Sequence, residues 1–137
     1  MAAIEQAMVS KILNSTTSAT AFTTLTTGFK VRLNTTASTA SAAGTEVPSG
    51  GGYTTGGQTS TAPFATTSAA GSAVTIPHTA ILTWTNSSGS NWGLVSIDLT
   101  DGAGVRTWFG NINGQPVNVA NGNTFQFALD SISISLT

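Results

Sequence analysis

Hydrophobic positions along this chain change their period once. Ile4, Met8 and Ile12 recur at i, i+4 and i+8 with Ala7 and Leu13 beside them, which predicts a short amphipathic helix ending near Asn14. Residues 15–27 are almost entirely Thr, Ser and Ala around Phe22 and Leu25, an irregular connection or short edge segment. From Phe29 onward the period is two. Phe29, Val31 and Leu33 alternate with Lys30, Arg32 and Asn34, so one face of a strand enters a core while the cationic residues face solvent or a partner. Further strands are expected over 73–76, 80–85 and 92–99. The last carries Leu94 and the alternating Val95, Ile97 and Leu99, is apolar on both faces, and should be central. Asp101-Gly102 and Asn113-Gly114 are hairpin signals bracketing a strand over 105–112. Asn121-Gly122 then separates Val117 and Val119 from Phe125, Phe127 and Leu129, with Ile132, Ile134 and Leu136 following.

Many short strands divided by regularly spaced turns predict an all-β chain. The expected architecture is an antiparallel β-sandwich, jelly-roll or Ig-like, with the one short N-terminal helix capping an end. The helix and its connecting arm take residues 1–27 and the sandwich takes 28–137. Within it, residues 35–57 form a long Gly/Ser/Thr-rich stretch containing Glu46-Val47-Pro48 and Gly50-Gly51-Gly52-Tyr53. That stretch is expected to be an extended surface loop or arm, too polar and flexible for a continuous buried element. A length of 137 residues suits one domain whose core needs no covalent staple.

Composition narrows the chemistry. Five acidic residues, four basic residues, one histidine and no cysteine make a poor inventory for acid–base catalysis, metal capture or thiol chemistry. Ser and Thr supply roughly 30% of positions, against the ~25% that charged residues usually reach. An enzyme is therefore not expected, nor a cofactor, nor a metal. Lys11, Lys30, Arg32 and Arg106 form no basic stripe, which argues against a nucleic-acid partner. No apolar run suits a signal segment or a membrane helix, so neither export nor a membrane is expected. Asn14-Ser-Thr, Asn34-Thr-Thr and Asn86-Ser-Ser match the glycosylation pattern and are read as products of a Ser/Thr-rich composition.

Individual side chains add little chemistry. His78 follows Pro77 at a strand end, and no nucleophile elbow accompanies any serine, so a hydrolase triad is not expected. Asp98 and Asp101 lack the closely alternating carboxylates of a calcium loop, and Asp101-Gly102 reads as a turn. Trp84, Trp92 and Trp108 with Tyr53 would serve as sugar-stacking platforms if exposed. Aromatic residues inside alternating strands are more often core, and at least one Trp is expected to be buried.

The order of features carries a resemblance. The helix, Phe29-Lys-Val-Arg-Leu33, Gly44-Thr-Glu-Val-Pro-Ser-Gly-Gly-Gly-Tyr53, Trp92-Gly-Leu-Val-Ser-Ile97, Trp108-Phe-Gly110 and 117–127 together resemble a family of small tailed-bacteriophage virion proteins. The most specific piece is Thr45-Glu46-Val47 just ahead of Gly50-Gly51-Gly52-Tyr53. The chain departs from the family in Pro48 and in Thr54-Thr55-Gly56. The resemblance implies a virion structural protein, assembled in the host cytoplasm. It is expected to be a capsid decoration (cement) protein that binds the major capsid protein on the assembled head, as a homo-oligomer and by preference a trimer. The alternative is a tail-associated or tail-fibre structural or host-glycan-binding module that contacts tail proteins; the lack of heptads and repeated strand units argues for decoration. Expected partner contacts are Ile4, Met8 and Ile12 on the helix and Glu46, Val47 and Tyr53 in the loop. As a surface contact, Tyr53 should be replaceable by Ala with the fold nearly intact.

Overall fold

The computed structural model describes residues 2–4, 29–59, 68–70, 73–77, 81–101, 103–128 and 131–136. Those residues are all-β, in antiparallel sheets, with no helix among them. One sheet has five strands. At its centre β8 (Ser96–Thr100) lies between β2 (Lys30–Asn34) and β9 (Arg106–Asn111), with β1 (Ala2–Ile4) beyond β9 and β3 (Gln58–Thr59) beyond β2. All five β8 residues are buried, as the double-sided apolar pattern predicts for a central strand. Ile97 and Leu99 face the hydrophobic core with Val31 and Leu33 of β2, while Ser96, Asp98 and Thr100 alternate onto the opposite, polar face.

The expected strand over 92–99 is two strands in different sheets. β7 (Trp92–Leu94) pairs with β10 (Val117–Val119), and at Val95 the chain changes partners. The Val95 amide donates to the Asn34 carbonyl and its carbonyl accepts from Ile112, which turns the chain into the five-stranded sheet without an unpaired peptide group. Upstream, β6 (Leu82–Thr85) pairs with β11 (Thr124–Phe127). A separate three-stranded sheet orders β12 (Ser133–Leu136), β5 (Ala73–Pro77) and β4 (Ser68–Ala70).

The N-terminal helix expected from Ile4 onward does not begin there. Ala2–Ile4 is a strand, with Ile4 in register with Trp108. The first four amides of a helix have no partner inside it, whereas a short extended segment on the free edge of β9 satisfies its amides at once. Met8 and Ile12, and the rest of the expected helix, lie outside the described residues.

Candidate functional site

β2 would present a bare edge, and the long loop closes it. Thr35 donates to the Thr45 carbonyl and Val47 to the Leu33 carbonyl, so 45–47 runs alongside the end of β2. β3 covers the start of β2 at Lys30 and Val31. Between these two segments the Leu33 amide donates to the hydroxyl of Tyr53 at 3.1 Å. A side chain thus stands where a strand is missing. The expected flexible arm over 35–57 is therefore a docked segment, and its Val47 and Tyr53, 1% and 3% exposed, belong to the chain's own core. Neither side chain is presented to a partner.

The Tyr53 hydroxyl also donates to Glu46 Oε1 at 2.6 Å, and the same oxygen accepts from the Gly56 amide at 2.7 Å. Half-buried Glu46 is thus a bracket for the loop. Burial, and then the hydrogen bond to Glu46, push the Tyr53 hydroxyl well above the ordinary tyrosine value of 10.0. The folded form therefore binds more protons than the unfolded chain once pH passes about 10, so stability is intact below that and falls as pH rises further. Tyr53 is the single tyrosine, so the ultraviolet absorbance of tyrosinate reports on it alone. In an alkaline titration the tyrosinate signal is expected only together with loss of the folded-state circular dichroism. Ionisation at the ordinary value with the fold intact would show that the hydroxyl is not held as described.

Gly50 and Tyr53 exchange backbone hydrogen bonds around Gly51-Gly52, a two-residue hairpin with φ of 56° and 87° at its centre. Only glycine takes both positions readily, and here the backbone is also crowded. A Cβ on Gly52 would collide with the Thr85 carbonyl and one on Gly51 with Ser88. The hairpin thereby docks against the corner between β6 and β7, where Ser87 donates to the Gly51 carbonyl.

Asn86 organises that corner. Residues 86–91 lie opposite 120–123, an interruption in the ladder between the β6–β11 and β7–β10 pairs. Fully buried Asn86 donates from Nδ2 to the carbonyls of Ser90 and Val119, and its Oδ1 accepts from the amide and hydroxyl of Ser88. Both donors and both lone pairs of the amide are used. Replacing Asn86 by Ala is expected to cost about 2 kcal/mol, since the buried Val119 carbonyl loses this donor and the turn at Ser88 and Ser90 loses the amide that holds it. A denaturant midpoint within error of the parent would overturn that assignment.

The start of the loop is anchored through buried serines. Ser96 Oγ donates to the Thr36 carbonyl at 2.8 Å and accepts from the Ser38 amide, while Asn34 Nδ2 reaches both Ser38 Oγ and Ser96 Oγ. Beyond this anchor Thr36, Ala37 and residues 39–43 are exposed. Arg106 Nη1 donates to the carbonyls of Thr39 and Ala42 at 2.8 and 3.0 Å, which pins the tip. The same nitrogen lies 3.8 Å from Oδ1 of Asp98, whose side chain is 1% exposed. Neither Asp98 oxygen accepts a hydrogen bond from a described residue. Arg32 of β2 stands in register with Asp98 of β8 and donates to the Gly104 carbonyl.

Trp84, Trp92 and Trp108 are all buried with Tyr53, so none of the four rings is offered to a sugar face. Asp101 spends its Oδ1 on the amides of Ala103 and Val105, closing the β8–β9 turn. Among the described residues no three His, Cys, Asp or Glu gather as metal ligands, and no helix is long and apolar enough to cross a membrane. His78 lies outside the described residues. Asn34 and Asn86 are buried, consistent with a compositional origin for those two acceptor triplets. Sequence reasoning missed Asn86, Ser38, Ser96 and Asp98 as organising residues. For Asn86 a usable signal existed in Asn-Ser-Ser-Gly between two strand patterns, since Asn side chains stabilise such turns by bonding nearby backbone. No family model, curated protein or solved structure matches the chain, so its function is argued from these residues and their geometry.

Proposed function

We propose that this chain is a bacteriophage virion structural protein, a capsid decoration protein that binds the assembled head as a homotrimer. One observation carries the reading. The residues on which the family resemblance rests, Glu46, Val47, Gly51, Gly52 and Tyr53, form one contact unit, each required by a hydrogen bond, a core position or a close backbone approach. A match spread over unrelated surface positions would carry no such weight. In this reading the antiparallel sheets make the two layers of a β-sandwich, and the partner surface is the exposed Thr/Ala tip of residues 36, 37 and 39–43. Arg106 and Ser38 already hold that tip, so little ordering entropy remains to be lost on docking. Its small uncharged side chains bring little desolvation cost when covered by the major capsid protein.

Quantitative mass spectrometry of purified particles tests the proposal. The expected copy number equals that of the major capsid protein or is a simple fraction of it, because a lattice component repeats with the lattice. A ratio of a few per cent would move the chain to a tail-associated role, and absence from particles would remove both virion readings.

A further inference from the structure

Two Asn-Gly pairs stand in exposed turns, Asn113-Gly114 between β9 and β10 and Asn121-Gly122 between β10 and β11. In both, the glycine has a positive φ, 74° and 87°, and a Cβ placed on it would meet nothing within 4 Å. Neither a side chain of its own nor a neighbour crowds either glycine. What separates the two pairs is hydrogen bonding. The Gly122 amide donates to the Asn86 carbonyl at 2.6 Å, and Asn121 Oδ1 accepts from the Gly89 amide at 2.9 Å, so both reacting ends of that pair are held. Neither the Asn113 side chain nor the Gly114 amide bonds to a described residue. Asn86-Ser87 is locked more firmly, with Asn86 fully buried and the Ser87 amide on the Gly51 carbonyl.

A backbone amide nitrogen attacks the side-chain carbonyl carbon of the preceding asparagine only if its proton is free to leave and the side chain is free to turn toward it. We propose that Asn113 is a site of spontaneous deamidation, a covalent modification that the fold permits there and suppresses at Asn121 and Asn86. The Gly114 nitrogen forms a bond to Cγ of Asn113, the Cγ–Nδ2 bond breaks, and Nδ2 leaves as ammonia with the proton of the Gly114 amide. Water then opens the resulting five-membered imide. Opening at Cγ yields aspartate at this position. Opening at the main-chain carbonyl yields isoaspartate, which routes the chain through Cβ and inserts one methylene into the turn. Either product is an ionised carboxylate at neutral pH and adds a negative charge to a chain whose formal net charge is −1. Copies that persist therefore become more acidic with age at one defined position, whatever the role of the protein.

The test is ageing of the full chain in mildly alkaline buffer, with and without denaturing urea. No Lys or Arg follows Arg106, so both Asn-Gly pairs fall in one tryptic peptide, and its fragment ions compare them within the same molecule. In the folded chain, conversion at Asn113 is expected to be about tenfold or more faster than at Asn121, because Asn121-Gly122 must first give up two hydrogen bonds. In urea the two rates should converge. Asn113→Gln, whose longer side chain would have to close a less favourable six-membered ring, should age without the acidic product at this position. As a change at an exposed residue it should also keep the parent circular dichroism. The proposal is overturned if Asn113 stays unconverted in the folded chain while the urea sample reacts, if Asn121 or Asn86 converts as fast as Asn113 in the folded chain, or if the preference for Asn113 is undiminished in urea.

Discussion

Replacing Tyr53 by Ala is expected to lower the stability of the folded chain by about 4 kcal/mol, in the range of ~3–5 kcal/mol measured for removing a buried aromatic side chain. Three losses coincide. The ring leaves its edge-on contact with Trp92 at 6.2 Å and 76°, the Leu33 amide loses the acceptor that stands in for a neighbouring strand, and Glu46 loses its short donor. Domains of this size have total stabilities of roughly 5–15 kcal/mol, so a loss of this size removes a large share of the total. Tyr53→Phe separates the contributions. It keeps the ring and forfeits only the hydroxyl, and should cost about 1–3 kcal/mol because a buried amide goes unsatisfied. Urea unfolding of the three proteins checks both values. A Tyr53→Ala variant with parental stability would return the residue to the surface role that its sequence neighbourhood suggests.

Asp98→Ala is the second large effect, with an expected loss of about 3 kcal/mol. Its carboxylate is buried beside Arg106 and in register with Arg32, and deleting one member of a buried pair leaves the rest without compensation, typically at a cost of ~3–5 kcal/mol. The lower end applies because Asp98 accepts no hydrogen bond from a described residue, while both arginines keep their bonds to loop carbonyls. The effect should be less than additive with Arg106→Met, since the double variant removes both charges, and it should change little between low and high salt. Strict additivity in a double-mutant cycle would show that Asp98 and Arg106 do not act as a pair. The loop tip gives a second readout: losing Arg106 should speed amide exchange at Ala42, whose amide donates to Thr39 Oγ1 within the turn that Arg106 holds.

Much of the strand layout was legible in the pattern. The alternation at Val31 and Leu33, the burial of 96–100, and the strands at 106–111, 117–119 and 124–127 follow from a period of two and from turn residues that accept positive φ. The docking of the 35–57 loop is not legible in this way, because composition is a poor guide to burial. A stretch of Ser, Thr, Ala and Gly has little hydrophobic area, so nothing local marks Val47 and Tyr53 as core. What places them there is the unpaired edge of β2, a feature that exists only once β2 has joined the sheet.

The same distinction runs through the whole chain. The sequence by itself determined the all-β character of the described residues, the places where they turn, and a charge-poor composition, because periodicity, positive-φ preference and ionisable content are properties of residues and their near neighbours. Tertiary structure alone decided that Val95 switches sheets, that Ala2–Ile4 adds to β9, and that one tyrosine hydroxyl substitutes for a strand. It also decided that Asn86 and Asp98 are buried. Each of these is settled by which backbone groups remain unpaired after distant segments meet, and no window of local sequence contains that information.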